Sequence, residues 1–140
     1  MQYKRVRDFI VIRLDEDDLV IENLKKVCLR EKVKNGVILS AVGGMKRGTL
    51  VYRRGCKGDF NEHFEIIGNG NIGKVGDKIM IHFHITGGNE RNVRTGHLIE
   101  GVVSVFLEIV VQALHGFAME RKLNESLVLQ KVLNPYVMEP

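Results

Sequence analysis

The chain contains no tryptophan, two prolines and two cysteines in 140 residues, and each scarcity narrows what it can be. Cys28 and Cys56 stand in no C-x-x-C spacing, so there is neither a disulfide framework nor a thiolate zinc site to read. Cys28 falls on a helical period and reads as a buried inert thiol, while Cys56 lies in the loop "RRGCKGD". No run approaches about 18 apolar residues, which excludes a membrane-spanning helix. Aromatics make up only 6% of the chain. The small basic clusters Lys4-Arg5-Val6-Arg7, Lys25-Lys26, Lys46-Arg47 and Arg53-Arg54 are not interleaved with them, and read as solvated faces rather than a base-stacking surface. The segment "MQYKRVRDFIVIRL" is basic and then apolar, but Asp8, Arg13 and Asp15 interrupt it and no small-residue cleavage site follows. It reads as a first strand rather than a signal peptide, and a cytoplasmic address is expected.

What is present is ordinary for a globular protein: 44% hydrophobic and 27% charged residues. A chain of this length fits a single domain over residues 1–140 and can bury roughly two-thirds of its unfolded surface. Lys and Arg exceed Asp and Glu by 21 − 17 = +4, with a pI near 9.2. That mild basicity permits contact with nucleic acid without marking it.

The stretch "DEDDLVIENLKKVCLREKVKNG" carries the clearest helical signal. Asp15 to Asp18 place acids at its amino end, where one of them can cap it, and Val20, Leu24, Val27 and Cys28 form its core stripe. Gly36 is expected to stop it. Beyond Gly36 the period shortens to that of strands: "VILSAVGG", "GTLVYRR", "EHFEIIGNGNI", "DKIMIHFHITGG" and "TGHLIEGVVSVFLEIVVQAL". The segment "NESLVLQKVLNP" predicts a short helix, capped by Asn124 and ended by Pro135. The expected class is α+β: an antiparallel sheet of about six to seven strands, one major helix packed on it, and a short C-terminal helix.

Gly68, Gly70 and Gly73 match G-x-G-x-x-G, the dinucleotide fingerprint, which works only between a strand and a helix. Here "KVGDKIMIHF" continues as a strand, so the glycines mark a bulged or closely approached strand and nucleotide binding is rejected. Along "IMIHFHITGG", Ile79, Ile81, Phe83 and Ile85 share one face; Met80, His82, His84 and Thr86 share the other. If "GGNERN" reverses the chain near Glu90 and Arg91, paired residue numbers sum to about 181 and His97 falls opposite His84 on that second face. Three imidazoles converging there form a metal site, zinc first and nickel, copper or iron as alternatives, with a fourth position open. His63 could add a fourth ligand; His115 lies outside the group. Glu65 and Glu100 are candidate partners of the ligands.

These motifs, in their order, resemble the plants-and-prokaryotes-conserved (PPC) domain in its stand-alone prokaryotic form. The match runs from about Tyr3 to Leu133 and rests on "NGVILSAVGGMKRGTLVY", "FEIIGNGNIG" and above all "IHFHITGGNERNVRTGHLIEGVV". The resemblance implies a compact α+β fold, assembly into homotrimers, and a metal on three histidines that map onto His82, His84 and His97. In plants the domain follows an AT-hook and acts as a nuclear DNA-binding regulator. This chain has no R-G-R-P hook, and Thr95 stands where the family often has the first glycine of G-G-H-L.

Two functions follow as expectations. The first is a zinc-binding homotrimeric module with a regulatory role, DNA association being inherited from the resemblance. The second is a metal-dependent enzyme of hydrolase or hydratase type, with water activated on a three-histidine zinc. It would need a base from Glu65, Glu90 or Glu100, and an anion-holding role for Arg91 and Arg94, which otherwise read as a solvated hairpin tip. No G-x-S-x-G, H-E-x-x-H or Cys-His signature supports a catalytic residue. A third reading has the metal simply fasten the hairpin or a subunit interface.

Overall fold

The structure is a computed structural model that describes residues 1–53, 55–116, 119–132 and 136–139. The chain opens with a hairpin of β1 (Gln2–Val6) and β2 (Phe9–Asp15), followed by α1 (Val20–Arg30). Four strands then make the body: β3 (Gly36–Val51), with β4 (Lys57–Phe60) folded back on its end, β5 (Phe64–Val75), β6 (Lys78–Gly88) and β7 (Val93–Ala113). Last come β8 (Glu120–Leu123), α2 (Glu125–Leu129) and β9 (Tyr136–Glu139).

The pairings form a ring. Strand β3 pairs β5, β5 pairs β6, β6 pairs β7, and β7 returns to β3, all antiparallel. This corrects the α+β expectation of six to seven strands under one major helix. Among the described residues the protein is 64% strand and 12% helix, nine strands forming a small closed barrel with two short helices. Period-two alternation tells which face a side chain takes but not that a sheet curls until its edges meet. Candidate strands "VILSAVGG" and "GTLVYRR" prove to be one 16-residue strand, β3, bent by four register shifts against the 21-residue β7. Such bulges sharpen twist and curvature and make closure possible with few strands. At one of them Gly43 has φ 145°, and a Cβ there would sit 2.3 Å from the Phe106 carbonyl oxygen; the facing Val105 takes φ 65°.

Core and exterior follow the pleat. Ile10, Ile12 and Leu14 of β2, Ile81, Phe83 and Ile85 of β6, and Leu107, Ile109 and Val111 of β7 are buried in one cluster. Helix α1 adds Val20, Leu24, Val27 and Cys28 to that cluster, as its stripe predicts. Burial pushes the Cys28 thiol up to about 12, consistent with an inert packing group.

Both ends of α1 differ from expectation. Its N-cap is Leu19, which offers no side-chain oxygen. Glu100 of β7 takes over instead, accepting from the Ile21 N–H at 2.8 Å and the Glu22 N–H at 3.2 Å. Of the acids expected to cap, Asp18 turns back to accept from the Asp15 N–H. The helix stops at Glu31, before Lys32 at φ 54°, and Gly36 begins β3 rather than ending α1. In the tail, Asn124 does cap α2, accepting from the Leu127 N–H at 3.1 Å; Pro135 lies outside the described residues.

Candidate metal centre

Strand β6 turns Ile81, Phe83 and Ile85 inward, so His82 and His84 necessarily face out of the barrel. The hairpin to β7 closes with Asn89–Asn92 between the strands and pairs His84 with His97, Thr86 with Thr95 and Gly88 with Val93. Thr95 fits this turn well: its hydroxyl donates to the Ile85 carbonyl at 3.1 Å and lies 2.9 Å from the Thr86 hydroxyl. Three imidazoles meet as a result. Their ring centroids are 5.0, 5.1 and 5.5 Å apart, and one nitrogen from each lies within 4.8 Å of the others. The Nε2 atoms of His82 and His84 are 3.1 Å apart, near the roughly 3.3 Å expected between two nitrogens on one tetrahedral zinc.

The glycines of the rejected nucleotide fingerprint explain how β5 supports this face. A Cβ on Gly70 would stand 2.0 Å from the His82 carbonyl oxygen, and one on Gly68 would stand 2.7 Å from that of His84. Bare backbone lets β5 lie tight against the strand that carries the histidines, and it brings Asn71 beside His82 in register.

Electrostatics keep the cluster neutral. Burial is the first cause of lowered proton affinity in all three rings. For His82 the Arg121 cation and the other two imidazoles add to it, taking its pKa down to about 4. His97 is lowered further by His84 and Arg121. Neutral imidazoles offer lone pairs at pH 7, which is the form that binds metal. His97 Nδ1 is buried with no hydrogen-bond partner among the described residues, so this pocket also holds a polar atom waiting for one.

Other candidates lie elsewhere. His63 is engaged at both nitrogens, with Ser104 Oγ at 2.9 Å and Glu65 Oε1 at 2.8 Å, so neither is free for the cluster. His115 pairs with Asp8. Glu100 caps α1 and Glu90 pairs with Arg91, while Arg94 reaches Tyr52. None of Glu65, Glu90 and Glu100 stands at His82, His84 and His97 as a base.

The residue missed in sequence is Arg121. It is 7% exposed, donates from Nη2 to His82 Nδ1 at 3.0 Å and to Asn71 Oδ1, and is in no ion pair among the described residues. Burial lowers its pKa. It sits in "MERKLNES", a polar stretch that reads as an exposed connector, and no periodic signal marks it.

A family model described as the Plants and Prokaryotes Conserved (PCC) domain matches residues 1–115. The chain belongs to that PCC family. Solved structures agree on the fold. A candidate DNA-binding protein of Bacteroides thetaiotaomicron superposes with a TM-score of 0.83 at 23% identity, over 99% of this chain and 98% of its own. A metal-containing protein of Archaeoglobus fulgidus gives 0.83 at 22% identity, over 100% and 99%. A plant- and prokaryote-conserved protein of Pyrococcus horikoshii gives 0.79 at 23% identity, over 99% and 94%. No curated protein matches the sequence. The PCC match ends before β8, so Arg121 comes from outside the segment that the family model covers. No helix among the described residues is long and apolar enough to cross a membrane.

Proposed function

We propose that this PCC-domain protein binds a transition metal, zinc first, on His82, His84 and His97, and works as a homotrimeric module in association with DNA. The observation that carries the reading is the convergence of three neutral imidazoles on one outer face, from two strands whose register is fixed by a hairpin. Their donor chemistry suits zinc, which would keep a fourth position for water or a ligand. A metal there would tie β6 to β7 at the open side of the hairpin.

Trimeric assembly is supported by the apolar groups left outside the barrel. Val42 and Ile67 are cross-strand partners on β3 and β5, and both are more than half exposed, with Leu39, Val105 and Phe106 also exposed. The DNA role is supported by net charge +4 and by family membership together with the DNA-binding description of a structural relative. Contact through the basic groups of this chain would be to phosphates and steeply salt-dependent. The enzymatic alternative draws no support from the site, since Glu65, Glu90 and Glu100 are all engaged away from it.

The test is metal content by inductively coupled plasma mass spectrometry on tag-free protein. Wild type is expected to carry about one zinc per chain, and His82→Ala/His84→Ala none. Metal-free wild type after purification in zinc-supplemented medium would end the proposal.

A further inference from the structure

Histidines that hold a metal generally donate their second N–H to a carboxylate or carbonyl, which fixes the tautomer with a lone pair toward the ion. His82 has the opposite partner. A guanidinium carries five N–H donors and no acceptor, so at 3.0 Å from Arg121 Nη2 the Nδ1 of His82 can only accept. The neutral ring then keeps its single N–H at Nε2. That N–H points at His84 Nε2, 3.1 Å away, and occupies the position from which Nε2 would have to offer a lone pair. Arg121 and a metal therefore demand different tautomers of the same ring.

We infer that Arg121 is a latch on the cluster: its contact with His82 and occupation of the site by a metal exclude each other, so that loading withdraws the guanidinium and loosens the strand that carries it. This rests on the metal reading proposed above and adds what regulates it. Two further observations support the latch. Arg121 is a buried cation in no ion pair among the described residues, and its Nε has no hydrogen-bond partner there, so it is held in place mainly through Asn71 and His82. The segment that carries it is also lightly attached. Strand β8 meets the barrel through one parallel pair, Lys74 with Glu120, and through Met119 just before it, which accepts from the Lys74 N–H and donates to Asn35 Oδ1; otherwise it pairs with the four-residue β9. Few backbone bonds need break for it to loosen, whereas β6 is paired with β5 along its whole length and with β7 from His84 to Gly88.

The probe is zinc alone, added to metal-stripped protein and followed by calorimetry and by amide hydrogen exchange. Arg121→Met removes the donor while retaining an apolar stem, and is expected to bind zinc about 10-fold more tightly than wild type. In wild type, saturating zinc is expected to speed exchange across residues 119–123 while slowing it in β6. The exchange experiment needs no variant, so it decides the matter even if Arg121→Met folds poorly. Zinc binding with equal or weaker affinity in Arg121→Met, or with unchanged exchange in β8, overturns the latch and leaves the metal site standing. Absence of zinc binding by both proteins overturns the metal reading itself, and the latch with it.

Discussion

The three imidazoles at one spot make this protein's stability depend on pH in a calculable direction. His82, His84 and His97 all bind protons less readily in the folded chain than in the unfolded one, chiefly because they are partly buried. Between the unfolded value of 6.5 and about 4 for His82, the unfolded chain takes up protons that the folded chain refuses. Stability of the metal-free protein is therefore full above pH 6.5 and falls progressively as pH drops to 4. Urea midpoints measured in chelator at pH 7, 6, 5 and 4.5 should show this slope in wild type and a shallower one in His82→Gln/His84→Gln. The double variant also controls for carboxylates, whose protonation enters below about pH 5. Parallel slopes would mean that the imidazoles are not the groups responsible. Added zinc should steepen the acid loss, because protons and metal compete for the same nitrogens.

At the scale of elements, α1 illustrates how a helix can be started from a distant strand. Glu100 lies 79 residues from Ile21 yet supplies the acceptors that Leu19 lacks, placing a carboxylate at the positive end of the helix. Glu100→Ala should cost about 0.5–2 kcal/mol in chemical denaturation, and Glu100→Gln less, since an amide oxygen can still accept one bond. A change within error for both would show that water replaces the carboxylate at no cost. The same element shows what the sequence makes legible. The helix and its buried stripe follow from local period, and so does the register of His84 with His97, because a hairpin with a short loop permits few alternatives. Asp15–Asp18 suggest a local cap because neighbouring acids are visible in sequence, whereas a partner 79 residues away is not. Barrel closure escaped for the same reason: alternation repeats within a strand, while closure depends on bulges spread along β3 and β7. Arg121 escaped because a four-residue strand with a single barrel pairing leaves no pattern to read.

At the scale of the whole molecule, the outer surface decides whether the barrel stands alone. Closure leaves the ring strands with only short free edges, such as Lys78–Phe83 of β6, which pairs with β5 alone, so the side-chain faces are the surface to test for assembly. The face with the means is the β3–β5 side: Val42 at 54% and Ile67 at 63% exposure are directly paired, with Leu39 nearby on β3. A lone exposed valine needs no explanation, but a contiguous apolar patch beside the histidine cluster does. A stable subunit contact needs roughly 800 Å² per partner, which such a patch could form the centre of. Light scattering on a size-exclusion column should give a mass three times the 15.9 kDa of the chain. Val42→Glu/Ile67→Glu should shift it to a single chain, because each subunit would then bury carboxylates without partners. Circular dichroism of that variant must retain the β spectrum, since both side chains point away from the core. A wild-type mass of one chain would refute trimeric assembly and leave the patch free for another partner. A trimer that persists in the variant would move the interface to another face, with Val11 of β2 and Val105 and Phe106 of β7 as the next apolar groups to replace.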